Sequence, residues 1–318
     1  MSFSSDVKEE LSHLPCGDQH CVIAELAAII SLSGVIDRSS SGDYRLDLYT
    51  ENAAAARRFY TLIRSAFDIQ PRVSARRHNY LKKSRTFRIT VDRARDALTI
   101  LKKAELINSL GEIDEYHSRT YNPLLQRTCC RRAYLRGAFL SSGSVTDPEK
   151  TYHFEIICSE QEQADQVRDL FCYFGLDAKI IRRKKNHVVY LKEGAMISDA
   201  MNVIGAHVSM MSFENVRIMK DVRNSVNRRV NCETANIGKT VSAAKKQIED
   251  IEYIRKMVGL EKLPVNLRDV AGARLEEPEA SLKELGEMLS PAVGKSGVNH
   301  RLRKISRIAQ QLREQGHI

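Results

Sequence analysis

The feature that most constrains this chain is that its first two-thirds repeat. A segment of small and apolar residues, Cys21 to Ser33, ends at Gly34, and a second, Asn122 to Ser142, ends at Gly143, an offset of 143 − 34 = 109. The segments after each glycine match in order. After Gly34 come the alternating run Tyr44–Tyr49, an Ala-rich helical segment Glu51–Phe67, a basic two-stranded segment Arg72–Val91 and a helix Asp92–Leu106. After Gly143 come the alternating run His153–Cys158, a helix Glu160–Phe174, a hairpin Ala178–Leu191 turning at Lys184-Lys-Asn186, and a helix Glu193–Gly205. Phe67 and Phe174 keep nearly the same spacing, 174 − 67 = 107. Alternation marks half-buried strands, and a 3–4 spacing of apolar residues marks helices. Two copies of an αββαββα unit, residues 20–106 and 122–205, therefore predict a pseudo-twofold α+β domain over residues 1–220.

The remainder, 221–318, reads differently. Asn215–Asn236 is polar and basic, with Arg217, Lys220, Arg223, Arg228 and Arg229, and is expected to be a linker. A helix Thr240–Val258 should come next, with Val241, Ala244, Ile248, Ile251, Ile254 and Val258 on one stripe, stopped by Gly259. Pro264 suits the opening of a helix through Leu275, since its missing N–H would be unpaired there. Ser281-Leu-Lys-Glu284 is a capping box opening a helix to Leu289, with Leu282, Leu285, Met288 and Leu289 as its buried side. After a turn at Ser290–Gly294, a last helix spans Ser296 to Arg313. Its core stripe is Val298, Leu302, Ile305, Ala309 and Leu312, and its opposite face carries Ser296, Asn299, His300, Arg303 and Arg307.

No acid occurs between Ser290 and Arg313, while Lys295, Arg301, Arg303, Lys304, Arg307 and Arg313 are basic. One helix against the DNA backbone followed by a cationic recognition helix is the layout of a helix-turn-helix. Asn299 suits adenine and Arg303 guanine through paired hydrogen bonds; Lys295, Ser296, His300, Arg301, Lys304 and Arg307 complete the candidate DNA-binding set.

Net charge is +10 and the pI about 9.2, which favours a polyanionic partner without distinguishing nucleic acid from an anionic membrane. The longest apolar run, Ile23–Leu32, is broken by Glu25 and Ser31 and is too short to span a bilayer, and Met1–Glu10 has no secretory apolar core. A cytoplasmic, nucleoid-associated protein is expected. Seven cysteines, none in a Cys-x-x-Cys pair, suit free thiols. His13, Cys16, His20 and Cys21 are grouped, but their spacing fits no common zinc finger, so neither metal nor cofactor is expected.

Leu26-Ala-Ala-Ile-Ile-Ser-Leu-Ser-Gly34 and Leu135-Arg-Gly-Ala-Phe-Leu-Ser-Ser-Gly143 resemble the two signature helices of the LAGLIDADG homing endonucleases. That resemblance implies two helices packed side by side, each ending in a metal-binding acid at the cleavage site. Here those positions are Ser33 and Ser142. A neutral hydroxyl cannot replace the anionic oxygen that holds Mg²⁺ on a phosphate. Asp37 and Asp147 lie beyond the glycines, on the outgoing strands of such a fold. The resemblance also implies that the sheets form a saddle over DNA. The hairpins are basic at matched places: Arg72, Arg76, Arg77, Lys82, Lys83, Arg85 and Arg88 in the first, and Lys179, Arg182, Arg183, Lys184, Lys185 and Lys192 in the second. An accessory DNA surface is expected there.

Nearly the whole chain is similar to the WhiA family of bacterial regulators, most sharply in Met1–Glu10, Ala24–Ala28, Asn231–Val241 and Lys295-Ser-Gly-Val-Asn-His-Arg-Leu-Arg-Lys304. Membership implies a degenerate LAGLIDADG domain joined to a helix-turn-helix, a role in cell division, chromosome segregation or sporulation, and double-stranded DNA as partner, with other transcription or division proteins as a second class. The competing expectations are an active nuclease using Asp37 or Asp147, and a protein-docking scaffold.

Overall fold

A computed structural model describes residues 2–39, 42–77, 85–107 and 123–315. The chain divides into two compact units, Met1–Lys220 and Asp221–Ile318.

In the first unit, α1 (Phe3–Ser12) precedes two copies of one motif. The first copy is α2 (Gln19–Ser33), β1 (Gly34–Arg38), β2 (Tyr44–Thr50), α3 (Ala53–Phe67), β3 (Arg72–Arg77), β4 (Arg85–Val91) and α4 (Ala94–Lys103). The second is α5 (Thr128–Ser142), β5 (Gly143–Val145), β6 (Phe154–Cys158), α6 (Gln161–Tyr173), β7 (Lys179–Arg183), β8 (Asn186–Leu191) and α7 (Gly194–Ile204). The sheets have the same antiparallel order, β1-β2-β4-β3 and β5-β6-β8-β7. This is the expected αββαββα pair. The segment expected to be helical from Asn122 is instead a 3₁₀ turn, Pro123–Leu125, ahead of a shorter α5.

Helices α2 and α5 form the centre of the unit, and their inward residues are fully buried from Ala24 to Ile30 and from Ala133 to Leu140. The sequence permits this because it offers little side chain at the crossing. A Cβ at Gly137 would overlap the Glu25 carbonyl oxygen. Gly34 and Gly143 are needed for a related reason: each follows the last helical residue with extended φ/ψ, and an added Cβ would strike Ile30 and Phe139 one turn back. Leu46, Leu48, Ile89 and Val91 of the first sheet, and Phe154, Ile156, Val189 and Leu191 of the second, are buried on the helix-covered faces.

One ion cluster lies within this core. Glu25, 2% exposed, accepts from Arg58 at 2.8 and 3.0 Å and from Arg136 at 3.0 Å. Arg58 also donates to the Leu14 carbonyl and Arg136 to that of Ile204. The charges are thus taken up by hydrogen bonds as well as by each other, the condition under which a buried ion pair is tolerated.

The largest departure from expectation is α8, one helix from His207 to Met257. The polar stretch Asn215–Asn236 is helical, not a linker, and Thr240–Val258 continues the same helix. Val241, expected in a core stripe, is 61% exposed, whereas Ile251 and Ile254 are buried. Phe213 near the start of α8 is buried in the core of the first unit, and Ile251 and Ile254 near its end belong to that of the second.

The second unit completes its core with α9 (Val265–Glu276), α10 (Leu282–Glu287) and α11 (Lys295–Gln315). The capping box forms as expected: Ser281 N–H donates to the Glu284 carboxylate at 2.7 Å, and Glu284 N–H to the Ser281 hydroxyl at 3.3 Å. α10 ends at Glu287, before the expected Leu289, and leaves Met288 46% exposed. Val298, Leu302, Ile305 and Ala309 of α11 are buried against Leu267, Val270 and Leu285.

Candidate nucleic-acid interface

α11 is held by its apolar stripe, which fixes what the other side presents. Ser296, His300, Arg303 and Arg307 are exposed, and at about 100° per residue they point within one narrow sector. Asn299 is half-buried at the edge of that sector, and Lys295 and exposed Lys304 flank it. Arg301 lies on the other side, where its guanidinium donates to the Asn266 carbonyl of α9 at 3.4 Å. Arg313 is also occupied, 2.8 Å from the buried Asp250 and stacked over Tyr253. Among the described residues, Arg303, Lys304 and Arg307 meet no carboxylate. The structure thus gathers most of the expected recognition residues on one cationic face and turns Arg301 toward its own domain.

The sheets of the first unit place their cations by strand pleat. Register puts Arg72, Ser74 and Arg76 of β3 on the same face as Arg88 and Thr90 of β4 and Asp47 of β2. Helices cover the opposite face. The second sheet repeats this with Lys179 and Arg183 on β7, at 179 − 72 = 107 and 183 − 76 = 107. Arg77 and Arg85 pair at the end of the first hairpin on the other face, as Arg182 does in the second. Lys184 and Lys185 form the two-residue turn between β7 and β8, both exposed, with Lys184 in the left-handed region at φ 58°. Lys82 and Lys83 fall outside the described residues.

Several of these cations already have partners. Arg88 holds the Asp47 carboxylate with two hydrogen bonds of 2.8 and 2.5 Å, Thr90 adds one of 2.5 Å, and Arg45 lies 3.3 Å away. Burial would raise the Asp47 carboxyl, but the hydrogen bonds from Arg88 and Thr90 and the two guanidinium charges outweigh it and hold the group below the usual carboxylate range. Arg72 meets Asp92 at 3.0 Å, and Arg183 meets Glu155 at 3.4 Å. Asp47 is a residue that sequence reasoning missed. Its only signal is an acid at the polar-face position between Leu46 and Leu48, and the partners that bury it come mostly from other strands.

At the C-terminal ends of α2 and α5, Ser33 donates to the Ile29 carbonyl at 2.8 Å and lies 3.5 Å from the Ser141 hydroxyl. Ser142 Oγ is buried without a partner among the described residues. Asp37 is on β1 as expected, but Asp147 lies past the end of β5 and accepts from Glu149 N–H in a turn. The grouped His13, Cys16, His20 and Cys21 separate: His13 pairs with Glu9, while His20 and Cys21 lie beside Cys129 and Cys130 of α5.

Two LAGLIDADG-like copies followed by a helix-turn-helix define the class of this protein, and comparison with known proteins agrees segment by segment. Residues 19–107 match the WhiA N-terminal LAGLIDADG-like domain, 131–223 the WhiA LAGLIDADG-like domain, and 226–309 the WhiA C-terminal HTH domain. The chain is 48% identical over 315 residues to the probable cell division protein WhiA of Alkaliphilus oremlandii, covering 99% of this chain and 98% of the relative. It is 45% identical over 313 residues to that of Alkaliphilus metalliredigens, covering 98% and 99%. The crystal structure of full-length DUF199/WhiA from Thermatoga maritima superposes with a TM-score of 0.59 at 28% identity, covering 98% of this chain and 99% of that one. The chain belongs to the WhiA family.

Proposed function

We propose that this protein is a non-enzymatic, sequence-specific DNA-binding regulator of cell division. The observation that carries this reading is the acid-free face of α11, where Ser296, His300, Arg303 and Arg307 project together from a helix anchored by Val298, Leu302 and Ile305. Such a face can enter a major groove with Arg303 on a guanine and the flanking cations on phosphates. The cell-division assignment rests on the names of the relatives.

The nuclease alternative is left with Asp37 of β1 from the two acids it needed. Ser33 and Ser142 bring no charge to the helix ends, and Asp147 is held in a turn of its own. Supercoiled plasmid should remain intact with Mg²⁺ or Mn²⁺; cutting abolished by Asp37→Ala would restore the enzyme reading.

The first experiment is selection of genomic DNA fragments on the purified full chain at near-physiological salt, with sequencing of what is retained. A shared motif near promoters supports a specific transcription regulator. Retention without a motif would leave only non-specific binding and overturn the assignment of α11.

A further inference from the structure

The opposite ends of the two central helices carry a constellation that the DNA-binding reading does not use. His20 and Cys21 are the second and third residues of α2; Cys129 and Cys130 are the second and third residues of α5. The offsets 129 − 20 = 109 and 130 − 21 = 109 equal that of Gly34 and Gly143, so the pseudo-twofold itself brings the four side chains together. One ligand atom from each lies within 4.8 Å of all the others. His20 Nδ1 is 3.2 Å from Cys21 Sγ and 3.2 Å from Cys130 Sγ. The other ring nitrogen, Nε2, is 3.3 Å from the Asp18 carboxylate.

We propose that His20, Cys21, Cys129 and Cys130 form a tetrahedral Zn²⁺ site that fastens the two LAGLIDADG-like copies to each other. With bonds of about 2.3 Å to sulfur and 2.0 Å to nitrogen, a tetrahedral centre needs sulfurs roughly 3.8 Å apart and sulfur–nitrogen separations of roughly 3.5 Å. The observed cluster meets this with side-chain adjustments of about 1 Å on that geometry. Asp18 holds the imidazole by the carboxylate–histidine arrangement that turns the other nitrogen, Nδ1, toward a metal. Three thiolates and an imidazole select Zn²⁺ over Mg²⁺ or Ca²⁺, which require oxygen.

Burial and the neighbouring thiols push the Cys21 and Cys130 thiols up, against the pull of the Arg127 charge on Cys130, so the ion's own charge has to displace their protons. On binding, three S–H protons pass to solvent, three Zn–S bonds and one Zn–N bond form, and no electron is transferred. The site has one open side, since Cys130 is buried, His20 and Cys21 are half-buried and Cys129 is exposed. No ligand comes from the hairpins or from α11, so the site stands or falls independently of DNA binding.

The test uses the full chain purified under reductant without chelator. Elemental analysis should find close to one zinc per chain, and the variant carrying Cys129→Ser and Cys130→Ser should hold less than a tenth of that. Should that variant misfold, wild-type protein stripped by chelator serves instead. Titrated with Co²⁺, it should develop tetrahedral ligand-field bands and thiolate charge-transfer absorption that saturate at one equivalent and vanish when Zn²⁺ is added. Thiol counting should find at most four reactive cysteines of the seven with zinc bound and all seven after chelation and unfolding. Folded wild-type protein without zinc, showing only octahedral Co²⁺ spectra, would overturn the proposal. So would peptide mapping that finds Cys21 disulfide-bonded to Cys129 or Cys130 in protein kept reduced.

Discussion

Two regions of this molecule carry cationic runs without a neighbouring acid in sequence, and they differ in what those cations meet once folded. On α11, Arg303, Lys304 and Arg307 face outward and meet no carboxylate among the described residues. On the first sheet, Arg88 and Arg72 are drawn onto Asp47 and Asp92, which lie outside the basic run but reach it across strands. A stretch of like charge in sequence therefore measures neither local potential nor availability for phosphate. In a sheet, the neighbours that decide both come from other strands; on an outward helix face, the neighbours are largely those within two turns.

Three variants, the last of them double, sharpen or break this contrast. The largest effect on stability is expected from Asp47→Ala, which removes the acid on which Arg88, Thr90 and Arg45 converge; both arginines stay open to solvent, so the cost should be that of the lost charged hydrogen bonds, about 2 kcal/mol, read as a lower urea midpoint in the full chain. A midpoint that does not move would mean that these cations are not structurally committed. Because its folded pKa is depressed, the wild-type Asp47 should contribute its full stability above about pH 4 and lose it progressively as pH falls toward the folded value. Acid titration of wild type against Asp47→Asn isolates that contribution.

Arg303→Ala should do the reverse, leaving the urea midpoint within about 0.5 kcal/mol as an exposed substitution does. Its cost should appear in recognition: a fall of about 10- to 100-fold in preference for the selected site over a scrambled duplex, from one lost bidentate contact. Equal preference in anisotropy titrations would remove α11 from base reading. The smallest effect is expected for Lys184→Ala with Lys185→Ala. Affinity for any duplex should fall a few-fold, and the slope of log affinity against log salt should drop by about 2, one for each phosphate contact. An unchanged slope would take the β7–β8 turn off the DNA.

Much of this architecture is legible in the sequence because the duplication states the same pattern twice. The αββαββα order of elements along the chain, the paired helices ending at Gly34 and Gly143, and the buried stripe of α11 all come from periodicity. The long helix α8 is not legible in that way, because its middle is exposed on every side and the apolar row it carries, Ile218, Val222, Val226 and Val230 at steps of four, is set among charged and polar residues and is not buried. The better signal is the absence of any Gly or Pro from Ala206 to Ile237. α1 is obscured by its acids, although Ser2 caps it and Val7 and Leu11 are fully buried. The cysteine–histidine group escapes a test of local spacing, because its partners lie one repeat away. The offset of 109 is the rule that finds them.

The crossing of α2 and α5 has a consequence for how such a fold can change over time. Positions related by the repeat differ there: Glu25 corresponds to Tyr134 (134 − 25 = 109), Ala27 to Arg136, and Ala28 to Gly137. One acid and one glycine serve the whole seam. Were the halves separate, identical chains, every substitution would appear on both sides of the axis, and a buried glutamate would arrive together with a second. Fusion into one polypeptide releases each side from copying the other. The seam can then be rewritten one letter at a time, which is how a scaffold built for symmetry becomes able to serve an asymmetric task.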